Sequence, residues 1–208
     1  MTAAASLTRL DAPVPTRGLV LMLHGGTEHS HQAVDSRSAS WKRMASMQHA
    51  ITARAHEAGA GTWLLRYRER GWNGDGRTQI ADARWALEEV RRAFGEVPVV
   101  LLGHSMGGRT SVHVSDDASV VGTVALAPWL PVGESVTALA GGRLQAAHGR
   151  SDKITSARAT AAYVERARRV ASSAELRDMG RVGHYMLRRV EAWNSYAVGQ
   201  SLRLLSEA

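Results

Sequence analysis

The chain has no cysteine, five prolines, one phenylalanine and two lysines among 208 residues. Without cysteine there is no disulfide, no thiolate nucleophile and no cysteine-ligated metal. No apolar run approaches the roughly 20 residues a membrane-spanning helix needs. The opening MTAAASLTRLDAPVPTRG lacks the basic start and hydrophobic block of a secretion signal. These absences lead to the expectation of a soluble, cytoplasmic protein with no membrane span. Lysine is nearly replaced by arginine, which supplies 24 of the 26 basic residues, and the net charge is +7. Such a balance raises the possibility of a nucleic-acid partner. The arginines, however, are scattered, and their densest clusters (Arg91-Arg92, Arg166 to Arg169, Arg188-Arg189) share helix-like segments with Glu88, Glu89, Glu165 and Glu191. That pattern reads as solvated helix faces carrying local ion pairs. Aromatics are few (5%) and not interleaved with the basic residues for base stacking, so no nucleic-acid partner is expected.

What is present is an alternation of short apolar runs and helical patterns. Strands are expected at Leu19 to Leu23, Thr62 to Tyr67, Val97 to Leu102, Val120 to Ala127, Leu144 to His148 and Ala174 to Met179. Helices are expected at Trp41 to Ala58, Arg77 to Phe94, Met106 to about Val114, Ser156 to Val170 and Val190 to Leu205. The second of these places Ile80, Ala83, Leu87, Val90 and Phe94 on one face and stops at Gly95. Strands alternating with helices imply right-handed βαβ crossovers, hence a mostly parallel central sheet with helices on both faces. Ligands gather at the C-terminal strand edge of such a sheet. At this length roughly 70% of the unfolded surface can be hidden in one domain, and no linker or internal repeat divides residues 1-208.

The stretch VVLLGHSMGGRT, residues 99 to 110, runs a strand directly into a serine held between glycines. A serine in a tight strand-to-helix turn points its hydroxyl out of the sheet edge, with Gly103 and Gly107 standing where side chains would collide. By chance a Gly-x-Ser-x-Gly match is expected about 0.16 times in a chain this rich in Gly and Ser, so its weight comes from the strand before it and the helix after. A serine hydroxyl is a weak nucleophile unless a base takes its proton, and the base must be held by a third group. LQAAHGRSDKIT places Asp152 in the loop after one strand, and RDMGRVGHYML places His184 in the loop after the next. The chain order Ser105, Asp152, His184 is the one such a sheet requires. Asp178 competes with Asp152 as the acid, Asp116 and Asp117 more weakly, and His148 reads as structural.

Earlier, LVLMLHGGTEHSH follows the first clear strand with His24-Gly25-Gly26. The backbone N–H groups of Gly26 and Met106 are the candidate pair facing a developing oxyanion; losing one such donor costs on the order of 2.7–4 kcal/mol of transition-state stabilisation. The nearby His24, His29 and His31 raise a metal site as an alternative, but no matching carboxylate pattern recurs. No metal is expected, and His24 is assigned to tying the loop.

Together His24-Gly25-Gly26, Gly103 to Gly108, His148-Gly149-Arg150-Ser151-Asp152 and Gly183-His184 resemble the α/β-hydrolase superfamily over residues 17 to 206, most of all its small esterase and lysophospholipase-like members. The resemblance implies Ser105 as nucleophile, His184 as general base and acid, Asp152 as its orienting partner, and no cofactor. Two departures stand out. Few residues precede Leu19, so residues 1-16 are expected to form an irregular arm and the sheet to be reduced to about six strands. The connection Pro128 to Gly142, where lids enter, is short, so an open, shallow site with minimal lid is expected. Trp129, Leu130, Trp72 and Tyr185 are the candidate substrate-binding walls, and Arg66, Arg68 and Arg70 either attract an anionic substrate or are simply solvated. The expected partner is a small-molecule ester or thioester, and the expected reaction is hydrolysis of exposed or small acyl groups through an acyl-enzyme. Acyl transfer, amide cleavage and a non-catalytic binding role on the same fold are the alternatives.

Overall fold

A computed structural model describes residues 4–13 and 15–208. Its elements are β1 (Ser6–Leu10), β2 (Gly18–Leu23), α1 (Ala39–Glu57), β3 (Ala60–Arg66), α2 (Arg77–Phe94), β4 (Val99–His104), α3 (Met106–His113), β5 (Val120–Leu126), β6 (Arg143–His148), α4 (Ala157–Ala167), β7 (Ser173–Asp178) and α5 (Val190–Ser206). The seven strands form one sheet in the order β1-β3-β2-β4-β5-β6-β7. All neighbours are parallel except β1, which runs antiparallel to β3.

The interior strands are buried on both faces, which is why they read as unbroken apolar runs. Because successive side chains point to opposite faces, Val20 and Met22 meet Met44, Met47 and Ile51 of α1 and Trp193 and Ala197 of α5. Leu19, Leu21 and Leu23 face the other way, onto Ala83, Ala86, Leu87 and Val90 of α2. A third cluster joins Val112 of α3 to Leu144, Ala146 and the α4 residues Tyr163 and Val164. No helix among the described residues is long and apolar enough to cross a membrane.

One expectation is corrected. The arm over 1-16 is not irregular throughout: Ser6–Leu10 adds an edge strand, making seven strands where about six were expected. Residues 1–3 and 14 of that arm lie outside the described residues. The segment SLTRL is too short and polar to announce a strand. It is held from outside: Gln48 of α1 donates to Thr8 O (3.0 Å) and Thr62 O (2.8 Å) at once. Asp11 accepts Trp63 Nε1–H at 2.6 Å, and the Arg9 guanidinium lies 4.2 Å over the Trp63 ring.

Candidate active site

β4 lies at the middle of the sheet, and α3 starts two residues after it ends. Ser105 between them has φ 55° and ψ −118°, a conformation that costs a non-glycine residue on the order of 1–3 kcal/mol. The surrounding turn leaves no alternative. A Cβ at Gly103 would stand 2.3 Å from Gly107 O, and one at Gly107 would stand 2.1 Å from Leu23 O. Backbone bonds clamp the serine: its N–H donates to Leu126 O (3.1 Å), and its carbonyl accepts from Arg109 N–H (3.2 Å) and Trp129 N–H (3.1 Å). The Ser105 Oγ stands 2.9 Å from His184 Nε2.

His184 comes from the loop after β7 and Asp152 from the loop after β6, and both are buried. The His184 Nδ1 is 2.8 Å from Asp152 Oδ2. The carboxylate is held by its own loop, with Oδ1 accepting Ile154 N–H (2.8 Å) and Thr155 N–H (2.9 Å). Burial pushes the Asp152 carboxyl up, but the two histidine rings and the two N–H donors outweigh it and hold the group well below the usual carboxylate range. An anion is therefore fixed beside the imidazole.

Three supporting residues escaped the sequence. Ser156, where the helix was expected to begin, caps α4 by accepting Ala159 N–H at 3.1 Å, and Thr155 just before it is left uncommitted to the cap. Thr155 is thereby free to place its hydroxyl 2.9 Å from Asp152 Oδ2, 3.1 Å from His184 Nδ1 and 3.2 Å from Ala127 O. The Asp-x-x-Thr spacing, with a side-chain oxygen closing the loop, is the signal that marks it. His148, expected to be structural, has its Nε2 3.2 Å from Asp152 Oδ2. His104 Nε2–H donates to His184 O at 3.0 Å. Burial and the neighbouring His184 push the His104 ring down to about 3, so it stays neutral.

The Gly26 loop is built by cross-pairing with the loop after β3. Thr27 N–H donates to Arg70 O (3.0 Å), Trp72 N–H to Thr27 O (2.9 Å), and Asn73 clasps Ser30 by both amide atoms. A Cβ at Gly26 would collide with Arg70 O at 2.3 Å and with the Met106 side chain at 2.5 Å, and one at Gly25 would come within 3.2 Å of Ser105 Cβ. The loop backbone is thus pressed against the start of α3. Among the described residues the N–H groups of Gly26 and Met106 donate to no backbone carbonyl. His24 fixes the turn as expected: its Nδ1–H donates to Gly25 O (2.6 Å) and its Nε2 accepts Tyr67 N–H (3.3 Å). Burial lowers its pKa to about 4.

The sequence pattern of the Alpha/beta hydrolase family matches residues 20–204. The chain belongs to that family. No curated protein matches it in sequence. Its fold is similar to a lidless α/β serine hydrolase of Xanthomonas campestris (18% identity, 96% of this chain and 94% of that one, TM-score 0.67). A monoacylglycerol lipase of Paleococcus ferrophilus superposes with TM-score 0.66 at 17% identity, covering 99% of this chain and 100% of that one. An esterase of Pyrococcus furiosus does so with TM-score 0.68 at 15% identity, covering 97% and 90%.

In this α/β hydrolase the expected walls divide. Tyr185 is exposed, its ring 5.4 Å from that of His184, and Trp129 is half-buried. Trp72 and Leu130, expected to line the cleft, are 2% and 3% exposed and offer it no open surface. The reason is a buried ionic cluster. The Arg109 guanidinium lies 4.2 Å from the Trp72 ring and 4.5 Å from the Trp129 ring, in the corner these two edge-on rings make, and pairs with Glu134, whose other oxygen meets His113 Nε2 at 2.8 Å. Glu134 sits in the connection Pro128 to Gly142, so these contacts fold that segment down onto α3, and Leu130 and Leu139 enter the core with it. Among the described residues this connection carries only the short 3-10 turn Thr137–Leu139, so it adds no lid domain over Ser105. The competing acids are engaged elsewhere: Asp178 with Arg150 (3.2 Å), Asp116 with Arg84 (2.7 Å) and Asp117 with Arg91 (3.1 Å).

Proposed function

We propose that the chain is a serine hydrolase that cleaves carboxylic ester or thioester bonds of small or exposed acyl groups through an acyl-enzyme. The observation that carries this reading is the continuous contact from Ser105 Oγ to His184 Nε2 (2.9 Å) and from His184 Nδ1 to Asp152 Oδ2 (2.8 Å). Ser105 Oγ attacks the carbonyl carbon as its proton passes to His184 Nε2, and Asp152 stabilises the resulting imidazolium. The carbonyl oxygen, now an alkoxide, takes the N–H groups of Gly26 and Met106. Collapse expels the alcohol or thiol with the proton returned by His184. Water, deprotonated by the same ring, then attacks the acyl-serine and releases the acid. The absence of a lid supports exposed acyl groups, with Tyr185 and Trp129 as the flanking surfaces.

Labelling with a fluorophosphonate probe tests this reading. The wild type is expected to be labelled and to hydrolyse activated esters, and Ser105→Ala to do neither. An unlabelled wild type that cleaves no activated ester overturns it.

A further inference from the structure

The three arginines after β3 that raised the question of an anionic substrate have separate fates. Arg66 bonds Ser6 Oγ (3.0 Å), and Arg68 is tied to the buried Asp82 carboxylate at 2.6 Å. Arg70 instead lines an open groove of about 330 Å³ together with Gly26, Thr27, Arg37, Ser38 and Tyr185. Its lining includes Gly26, a candidate oxyanion donor, and Tyr185, the residue after His184, whose carbonyl is fixed by Arg43 Nε–H at 3.0 Å. The groove therefore borders the two loops that carry the Gly26 N–H and the His184 ring to Ser105.

The lining of the groove is net positive, with Arg70 and Arg37 against Asp35. Among the described residues neither Arg70 nor Arg37 forms an ion pair, whereas Arg9, Arg68, Arg84, Arg91 and Arg109 all do. The Arg70 Nε–H is shielded from water and has no acceptor in the protein, a cost that an acceptor arriving with a ligand would remove. The one carboxylate on the lining, Asp35, accepts the backbone N–H of Arg37 at 2.9 Å and offsets one of the two guanidinium charges, leaving the other. The start of α1 adds its partial positive charge to that of the two guanidiniums, since its first turn carries no acid.

We infer that this groove is an anion subsite and that the substrate carries a carboxylate close to the scissile bond, taken by Arg70 and Arg37. A planar guanidinium presents parallel N–H donors that match a carboxylate. A volume at the lower end of small-molecule sites, which run from roughly 300 to 1,000 Å³, suits a short chain such as the half-ester of a small dicarboxylic acid. The inference rests on the ester-hydrolase reading above.

Two matched pairs of esters test it. On the acyl side, para-nitrophenyl hydrogen adipate is compared with para-nitrophenyl hexanoate; on the alcohol side, para-carboxyphenyl butyrate with para-carbamoylphenyl butyrate. For one of the two pairs the wild type is expected to favour the charged ester in kcat/KM by about tenfold to a hundredfold at low salt, the range of a hydrogen bond to a charged group. Added salt reduces that ratio. Arg70→Gln and Arg37→Gln each lower it, chiefly through KM for the charged ester, and Arg70→Lys restores part of it. The neutral ester serves as the internal control for folding. Equal turnover of charged and neutral esters in both pairs overturns the subsite alone, as does a preference that survives both glutamine variants. Hydrolysis of none of the four, with no fluorophosphonate labelling, overturns the hydrolase reading and the subsite with it.

Discussion

His148 Nε2 lies 3.2 Å from the same Asp152 oxygen that meets His184 Nδ1 at 2.8 Å, so two histidines share one carboxylate oxygen. Both rings are buried, and the second ring nitrogen of His148 is bound to the Thr160 hydroxyl at 2.9 Å. The carboxylate is thus held in place from both sides.

Replacing that second donor has a definite cost. His148→Leu removes a hydrogen bond to a buried anion and is expected to destabilise the fold by about 1.5–3 kcal/mol and to lower kcat more than it changes KM. His148→Gln, which retains an amide donor, recovers part of both. Urea unfolding and steady-state kinetics read the two effects; a leucine variant as stable and active as wild type would remove His148 from the site.

Asp152→Asn keeps the shape of the side chain and removes the charge. The expected loss in kcat is about ten-thousand-fold, as when a triad base loses its orienting anion, with circular dichroism unchanged. Activity near wild type would move the acid's role to another residue.

Acid sensitivity follows from two buried histidines. In the fold the His24 and His104 pKa values are lowered from 6.5 to about 4 and about 3. The unfolded chain therefore binds more protons between these limits, and stability falls as pH drops below 6.5, by on the order of 3 kcal/mol or more for each histidine once pH reaches the folded value. His104→Gln retains a donor for His184 O but does not titrate. Its curve of melting temperature against pH is expected to be flatter than that of wild type from pH 6.5 downward, and an identical slope would contradict the assignment.

The pair Arg109 and Glu134 gives a stability prediction. Arg109→Met leaves a carboxylate buried with only His113 as partner and is expected to cost about 3–5 kcal/mol, while the double variant Arg109→Met, Glu134→Leu regains most of it. Chemical denaturation of the single and double variants measures the difference. If the double variant is no more stable than the single one, the pair does not hold the connection down.

Much of the site is legible without coordinates because its rules are local. The serine turn needs glycines at 103 and 107 for lack of space, and an acid and a base are sought after later strands in order, so Ser105 and His184 stand out as candidates by position and Asp152 stands ahead of Asp178. Trp72 and Leu130 were misplaced for the opposite reason. A large apolar side chain in a loop at the active edge can face the cleft or the core, and here the outcome depends on Arg109 and Glu134, 37 and 62 positions from Trp72 in the chain. Likewise β1 exists through Gln48, Trp63 and Glu89, none of them near it in sequence.

The amino-acid sequence by itself determined the alternation of strands and helices, the parallel sheet and the serine turn, because periodicity and backbone sterics act within a few residues. Tertiary structure alone decided which histidines reach Asp152, which tryptophan is buried, and that Arg70 and Arg37 share one groove. Those outcomes depend on long-range packing and on the pairing of charges in a confined space.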